Sequence, residues 1–276
     1  MALQSLLLTV CMLSNSGDTT LVQDTTRPKA NRLSYIVNDG VNMAKTVAFT
    51  YARPLYWQKR DFLILGGALL GSASALLIDK TVYNLGQQHR TKAFDRLERV
   101  GYTLGKPTVN YPFMLAVWGS GIIANNDWLR DTGVMVIASV TASGLIQTAA
   151  KDLVGRSRPG TGRGPVSFKP FSGAGYHSFP SGHTMLSVAT AWILADQVDF
   201  IPLKIVFYAL PVITGASRIY VGAHWLSDVL LGSALGIACA ESVLRLYPIL
   251  KARQAQASYS IRLVPGVNSA GLIVQF

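Results

Sequence analysis

Charged residues are scarce in this chain, and cysteines are scarcer still. Only 14% of the 276 residues are charged and half are hydrophobic, with a mean hydropathy of +0.31. Soluble domains carry nearer to about a quarter of charged residues, so the composition favours a membrane protein or an unusually apolar bundle. The two cysteines, Cys11 and Cys239, form neither a disulfide framework nor a zinc-binding spacing. Cys239 lies in an apolar run, where a buried and inert thiol is expected.

Acidic residues are the rarer charged type. There are 14 of them against 25 lysines and arginines, which gives a net charge of +11. A net positive charge of this size suits nucleic acid, anionic lipid headgroups or phosphorylated substrates as partners. The basic residues are dispersed through apolar sequence instead of forming one stripe, and no nucleic-acid-binding module is recognisable. We therefore expect no nucleic acid partner.

The two ends of the chain differ from its middle. The first residues, MALQSLLLTVCMLSNSG, have the apolar core of a signal peptide but lack a basic residue before it, which leaves cleavage open. Residues 36–61 suit an amphipathic helix at a membrane interface or a packed surface helix. Near the other end, SYSIRLV and GLIVQF flank PGVNSA, a pattern that predicts a β-hairpin. We divide the chain into an N-terminal segment (1–60), a helical core (61–246) and a C-terminal extension (247–276).

Six apolar stretches rich in Ala, Gly, Leu, Ile and Val make up the core. They are Phe62–Ile78, Tyr111–Ala124, Val134–Ala150, Met185–Leu194, Ile201–Thr214 and Leu226–Val243. Most are shorter than the roughly 20 residues that cross a bilayer, but their small residues permit the close contacts of spanning helices. The pattern predicts an all-α bundle of about six apolar helices that span a membrane.

Three polar clusters interrupt these stretches. They are KDLVGRSRP (151–159), PSGH (180–183) and SRIYVGAHWLSD (217–228). The first ends the third apolar helix, the second begins the fourth, and the last joins the fifth to the sixth. An antiparallel bundle would bring all three to the same end. The long, glycine-rich and basic segment between the first two is of the kind that is commonly functional.

The residue types in these clusters suit an oxyanion. Lys151, Arg158 and Arg218 offer positive charge and the donor geometry that phosphate oxygens accept. Ser181 is placed to cap the next helix, and Gly182 would let an anion approach backbone N–H groups at the positive helix end. No His, Asp or Glu cluster has the spacing of a metal site. We expect neither a metal nor another cofactor.

The remaining polar residues suit covalent catalysis. His224 and Asp228 are four residues apart and would share a helix face. A carboxylate bonded to one ring nitrogen fixes the tautomer and leaves the other nitrogen as a nucleophile, while His183 could protonate a leaving oxygen. Alone, His224 would more often be a core residue and Asp228 a helix cap. Together with the cations they predict phosphoryl transfer through a phosphohistidine.

Two further arginines of the loop, Arg156 and Arg163, match no motif position. We interpret them as solvated loop charges.

At these clusters the sequence resembles the type 2 phosphatidic acid phosphatase superfamily, which includes lipid phosphate phosphatases, bacterial acid phosphatases and vanadium haloperoxidases. The signature is Lys, six residues, Arg-Pro; then Pro-Ser-Gly-His; then Ser-Arg, five residues, His, three residues, Asp. Every fixed position is present, and the resemblance covers about residues 60–246. It implies an all-helical core and metal-independent hydrolysis.

The resemblance also implies a role for each matching residue. His224 would be the nucleophile, Asp228 its orienting partner and His183 the general acid. The phosphate-binding residues would be Lys151, Arg158, Ser181, Gly182 and Arg218.

The function expected from these observations is hydrolysis of a lipid phosphate or diphosphate. The partners would be the phosphorylated lipid and a bacterial-type cell membrane, with the site facing the periplasm or exterior. Two alternatives stay open: an exported, soluble acid phosphatase of broad specificity, and a vanadate-dependent haloperoxidase that holds vanadate in the same group of cations. The sequence does not identify the lipid, because different lipid phosphates present the same group.

Overall fold

Helices account for most of the residues that the computed structural model of the chain describes, which are 32–256, 260–265 and 270–275. The all-α class expected for the core is confirmed, whereas the signal-like segment lies outside the described residues. The described helices are α1 (Arg32–Ala52), α2 (Lys59–Ala75), α3 (Asp79–Gln88), α4 (Lys92–Leu104), α5 (Pro107–Ala124), α6 (Asp127–Val154), α7 (Gly182–Asp196), α8 (Ile201–Tyr220) and α9 (Leu226–Gln256).

Helix α7 forms the centre of the bundle. All but three of its 15 residues are buried, because α6, α8 and α9 pack around it. Glycines of α9 allow the closest approach: a Cβ atom on Gly232 would lie 2.7 Å from the carbonyl oxygen of Ser181, and one on Gly236 would lie 2.7 Å from that of Met185. The small residues therefore permit close helix contacts, as expected. Cys239 of α9 is buried, also as expected.

The expectation of six membrane spans is wrong. Among the described residues, two helices, α6 and α9, are long and apolar enough to cross a membrane, and α2 with α3 would form a third span bent by 58°. At about 1.5 Å per residue, the 15 residues of α7 extend roughly 22 Å, short of a hydrocarbon core of about 30 Å. Apolar stretches such as Met185–Leu194 fill the protein interior, so their hydropathy does not report contact with lipid.

Helix α1 has its polar face inside the bundle. Its buried residues are all polar: Asp39, Asn42, Thr46 and Thr50. Several of its apolar side chains are exposed instead, among them Ile36 at 44% and Phe49 at 47%, whereas Met43 and Val47 are partly buried against the core. Such an arrangement would be unfavourable in water and is favourable beside lipid. Together with α6 and α9, this helix indicates a membrane protein.

A buried ion pair anchors α1 to the rest of the bundle. Arg130 of α6 donates to both carboxylate oxygens of Asp39, at 3.1 and 2.8 Å, and the indole of Trp118 donates to the same carboxylate at 2.9 Å. Arg130 also pairs with Asp127, whose side chain is 73% exposed. These contacts lie at the start of α6, whereas Lys151 lies in its last turn. They fix α1, α5 and α6 at the end of the bundle away from the polar clusters.

Two short strands follow the last helix. Strand β1 (Ser260–Pro265) and strand β2 (Ala270–Gln275) pair antiparallel, with Ser260 opposite Gln275. The turn between them lies outside the described residues.

We predict that Asp39→Ala lowers the free energy of unfolding by about 3–5 kcal/mol, because the substitution leaves the buried charge of Arg130 with only the exposed Asp127. The control is Asp127→Ala, which should cost about 1 kcal/mol or less. Unfolding of both variants in detergent micelles measures the difference. Equal, small losses would contradict the anchoring role of the buried pair.

Candidate active site

The three polar clusters meet at one end of the bundle. The hydroxyl of Ser178 donates to Asp228 Oδ2 at 2.5 Å, and the carbonyl of Ser178 accepts from His224 at 2.6 Å. The backbone N–H of Ser181 donates to the carbonyl of Asp228 at 3.0 Å. Arg156, in the loop after α6, pairs with the Asp228 carboxylate. Residues from three distant segments therefore surround one site.

Lys151 and Arg158 enter this site from the end of α6 and the loop after it. The ammonium of Lys151 has no hydrogen-bond partner among the described residues. Arg158 is held by two carbonyl groups, since its Nε donates to Ala174 at 3.1 Å and its Nη2 to His177 at 3.3 Å. Its Nη1 has no partner in the described part of the chain. Burial lowers the pKa of Arg158, and the negative charge of Asp228 opposes this effect.

Arg218 reaches the site from the last turn of α8. Its Nε donates to Ser217 Oγ at 3.1 Å, and its Nη2 pairs with the carboxylate of Glu98 on α4. Burial lowers the pKa of Arg218, and the charge of Glu98 opposes this effect. Its Nη1 has no hydrogen-bond partner within residues 32–256. We call Lys151, Arg158, Arg218 and the start of α7 the phosphate cage.

His183 is the second residue of α7 and is covered by α4. The ring of Tyr102 stacks on its imidazole with centroids 5.0 Å apart. Gly105 lies so close that a Cβ atom there would be 2.6 Å from His183 Cβ. Burial lowers the pKa of His183 to about 3, and the positive charge of Arg218 acts in the same direction. The imidazole is therefore neutral at pH 7 while the site holds no anion.

His224 is oriented by a backbone carbonyl and not by Asp228. Helix α9 begins at Leu226, so His224 lies before it and the helical spacing expected for the pair does not apply. The distance from His224 Nδ1 to Asp228 Oδ2 is 3.8 Å, whereas Nδ1 lies 2.6 Å from the carbonyl oxygen of Ser178. Because a carbonyl only accepts, Nδ1 carries the proton and Nε2 is free. Burial lowers the pKa of His224, which keeps the ring neutral.

The interpretation of Arg156 as a solvated charge is wrong. Its side chain is 1% exposed and connects two buried carboxylates. Nη1 donates to Asp228 and to Ser227 Oγ, Nη2 donates to Asp79 at 2.7 Å, and Nε donates to the carbonyl of Pro165 at 2.8 Å. Asp79 in turn accepts from the backbone N–H and the hydroxyl of Ser227, at 2.9 and 2.6 Å. We call Arg156, Asp79, Ser227 and Asp228 the buried ion network.

One sequence signal could have found this network. Asp79 directly follows the apolar stretch Phe62–Ile78, and a carboxylate in such surroundings needs a partner. The partner could have been sought among the loop arginines, although nothing in the spacing selects one. Arg163 differs from Arg156: it is exposed, with its guanidinium 4.8 Å from the ring centroid of Tyr176, which agrees with the solvated position expected.

The PSGH cluster is arranged differently from the expectation. Ser181 is the N-cap residue of α7, but its hydroxyl bonds the Thr184 hydroxyl at 2.9 Å instead of a helix N–H. The side chain that approaches Gly182 is Gln147 of α6, because a Cβ atom on Gly182 would lie 1.7 Å from Gln147 Oε1. This amide oxygen is buried and has no hydrogen-bond partner among the described residues. Sequence reasoning missed Gln147, which lies one helical turn before Lys151.

Part of this chain is similar in sequence to known proteins. Residues 132–251 match the family model of the PAP2 superfamily. The lipid A 1-phosphatase of Rhizobium etli is 38% identical over 107 residues, which are 38% of this chain and 45% of that protein. Phosphatidylglycerophosphatase B of Bacillus subtilis is 25% identical over 143 residues, 49% of this chain and 66% of that protein. The chain thus spans less than half of the Rhizobium relative's length.

Two solved structures share the fold. The crystal structure of Aquifex aeolicus LpxE aligns with a TM-score of 0.50 and 20% identity, over 61% of this chain and 95% of that one. The transmembrane PAP2 type phosphatidylglycerolphosphate phosphatase of Bacillus subtilis aligns with a TM-score of 0.53 and 20% identity, over 73% of this chain and 98% of that one. Residues 132–251 of this chain are thus similar in sequence to the PAP2 superfamily, and its helical core shares the fold of these two structures.

Proposed function

We propose that this chain is a phosphatase that removes phosphate from a membrane lipid through a covalent intermediate on His224. The observation that carries the proposal is the hydrogen bond between His224 Nδ1 and the carbonyl of Ser178. It fixes the tautomer in which Nε2 keeps its lone pair, beside cations that would attract phosphate. A neutral imidazole held in this way is suited to attack phosphorus.

The proposed reaction has two steps. Nε2 of His224 attacks phosphorus, the bond to the lipid oxygen breaks, and that oxygen leaves with the electron pair and takes a proton from His183. Water then attacks the phosphohistidine, His183 accepts a proton from the water, and the phosphorus–nitrogen bond breaks to release inorganic phosphate. The same histidine thus acts first as a general acid and then as a general base.

The phosphate cage would stabilise the charge on the transferring group. Three donors of the cage have no hydrogen-bond partner among the described residues: Nη1 of Arg158, Nη1 of Arg218 and the ammonium of Lys151. The backbone N–H of Gly182 lies at the start of α7. Donors fixed before the reaction cost no reorganisation in the transition state. Within the described residues no three His, Cys, Asp or Glu side chains could hold a metal ion together. We therefore assign the stabilising charge to lysine and arginine.

Substrate binding would supply the proton on His183. With the cage empty, burial and neighbouring cations hold the pKa of His183 at about 3. A phosphate dianion in the cage would offset those cations and raise the pKa of the imidazole. His183 would then become an acid only when a substrate is present.

The substrate class follows from the membrane location and the relatives. The matched relatives are named as phosphatases of lipid A and of phosphatidylglycerophosphate. We propose a phosphorylated lipid of a bacterial-type membrane as the substrate, with the site at the periplasmic or outer surface and residues 61–246 as the phosphatase core. The exported acid phosphatase and the haloperoxidase are less favoured, because the exposed apolar face of α1 suits lipid.

The first prediction from this mechanism separates the two histidines. His224→Ala should abolish hydrolysis of every substrate, because no covalent intermediate can form. His183→Ala should reduce hydrolysis of a lipid phosphate by about 10²–10⁴-fold, since an alkoxide leaves poorly without a proton. The same substitution should reduce hydrolysis of nitrophenyl phosphate much less. Steady-state rates in the presence of EDTA, with trapping of phosphohistidine by an alkaline denaturing quench, measure both. Equal losses on the two substrates would contradict the acid role of His183.

The second prediction concerns proton uptake. Free enzyme at pH 7 holds His183 neutral, because its lowered pKa lies well below the solution pH. Binding of vanadate, an analogue of the pentavalent phosphorus centre, should raise this pKa and draw about one proton from the buffer. Calorimetry in buffers of different ionisation enthalpy measures the uptake, and His183→Gln should remove it. Unchanged uptake in that variant would assign the proton to another group.

The third prediction concerns Arg156 as a positioning residue. Arg156→Lys keeps the positive charge, but one ammonium group cannot bond Asp228, Asp79 and the Pro165 carbonyl together. We expect kcat to fall about 10- to 100-fold, a range seen when groups that orient a reactive side chain are lost, with KM nearly unchanged. Arg163→Lys, in the same loop, is the control and should resemble wild type.

Thermal denaturation gives the unfolding temperature of each loop variant. The kinetics of both variants should be measured well below these temperatures. A raised KM with normal kcat would mean that Arg156 binds substrate and does not orient the site.

A further inference from the structure

An apolar cavity lies beside the phosphate cage. Helices α3, α4 and α8 enclose about 600 Å³ of space, a volume within the usual range of ligand pockets. Most of its lining side chains are apolar, including Val82, Leu85, Phe94, Leu97, Ile213 and Ile219.

The cavity and the cage share a wall. Glu98 and Ser217 line the cavity, and both hydrogen-bond the guanidinium of Arg218, Glu98 at Nη2 and Ser217 at Nε. A molecule whose phosphate contacts Arg218 is therefore one side chain away from the apolar space. The carboxylate of Glu98 in this wall would repel a second anionic group, so the cavity is suited to an uncharged part of the ligand.

The apolar side chains that line the cavity are also more exposed than is favourable in water. Leu85 is 56% exposed, Phe94 is 50% exposed and Leu97 is 44% exposed. Adjacent exposed apolar side chains of this size mark a surface that is covered by a ligand, a partner or lipid. The short distance to the cage favours a ligand that carries both a phosphate and an apolar part.

We propose that this cavity binds the hydrocarbon chain of the lipid whose phosphate lies in the cage. The inference rests on the proposed phosphatase function and specifies it, because it makes chain length a determinant of substrate choice. Glu98 then has two effects at the shared wall: it holds Arg218 toward the cage, and its charge separates the phosphate from the chain.

Gly86 offers a direct test. It lines the cavity, and a Cβ atom on it would meet only the Cα atom of Tyr220, at 3.8 Å. A side chain at this position would therefore extend into the cavity without displacing backbone. Gly67 of α2 is a matched control, because it is an exposed helical glycine with nothing within 4 Å of its Cβ position and does not line the cavity.

The experiment compares wild type, Gly86→Leu and Gly67→Leu on lipid phosphates of increasing acyl chain length in mixed micelles, with nitrophenyl phosphate as the substrate without a chain. We expect kcat/KM of the wild type to rise with chain length. Gly86→Leu should lose about tenfold or more on the longest chain and stay within about twofold on nitrophenyl phosphate. Gly67→Leu should match wild type on both.

Three outcomes would overturn the inference. Gly86→Leu could keep the full chain-length dependence, or it could lose activity equally on the substrate without a chain. The third outcome is an equal effect of Gly67→Leu.

A binding measurement separates this inference from the proposed function. A lipid phosphate with a photoreactive group in its chain should label peptides of α3, α4 or α8 in wild type, and less so in Gly86→Leu. Labelling without hydrolysis of any phosphate by wild type would refute the phosphatase and keep the chain site. Hydrolysis with labelling only outside these helices would refute the chain site and keep the phosphatase.

Discussion

The pairing of Arg156 with Asp79 and Asp228 is the interaction on which the site depends. All three side chains are at most 1% exposed, and an isolated charge in such surroundings would be strongly unfavourable. The loop after α6, the bend between α2 and α3 and the start of α9 must therefore come together for any of these charges to be compensated. A buried pair of this kind contributes little net stability, so its main effect is to select one arrangement of the three segments.

Hydrogen bonds connect the buried ion network to His224, the proposed nucleophile, through Ser178. Asp228 accepts from Ser178 and from the backbone N–H of Trp225, which flanks His224 in the chain. The carbonyl of the same serine accepts from His224. Asp228 thus acts on the imidazole through a residue that bonds both of them. The ion network, the serine and the histidine form one continuous chain of hydrogen bonds.

The sequence predicted which residues meet at the site better than it predicted the hydrogen bonds and ion pairs that join them. The order of apolar stretches and polar clusters was sufficient to bring Lys151, Arg158 and His183 to one end, because an antiparallel bundle allows little else. Asp79 and Arg156 were missed because their pairing depends on contacts between distant segments, which no local spacing records. His224 Nδ1 and Asp228 Oδ2 lie 3.8 Å apart, farther than the predicted hydrogen bond, because His224 precedes the helix and a four-residue spacing aligns side chains only inside one. The span count failed because hydropathy does not distinguish the buried α7 from a helix that faces lipid.

The charges that we propose to bind phosphate would also keep His183 from acting as an acid before a substrate binds. Burial lowers the pKa values of His183 and His224, and nearby cations act in the same direction, so both rings are neutral while no anion is bound. Neutrality is what a nucleophile needs, but it is the wrong state for a proton donor. A bound phosphate would offset the cations next to His183, while His224 would remain fixed by the carbonyl of Ser178. One anion would therefore give two similar imidazoles different protonation states, and a cage of fixed cations requires no further residue to do so.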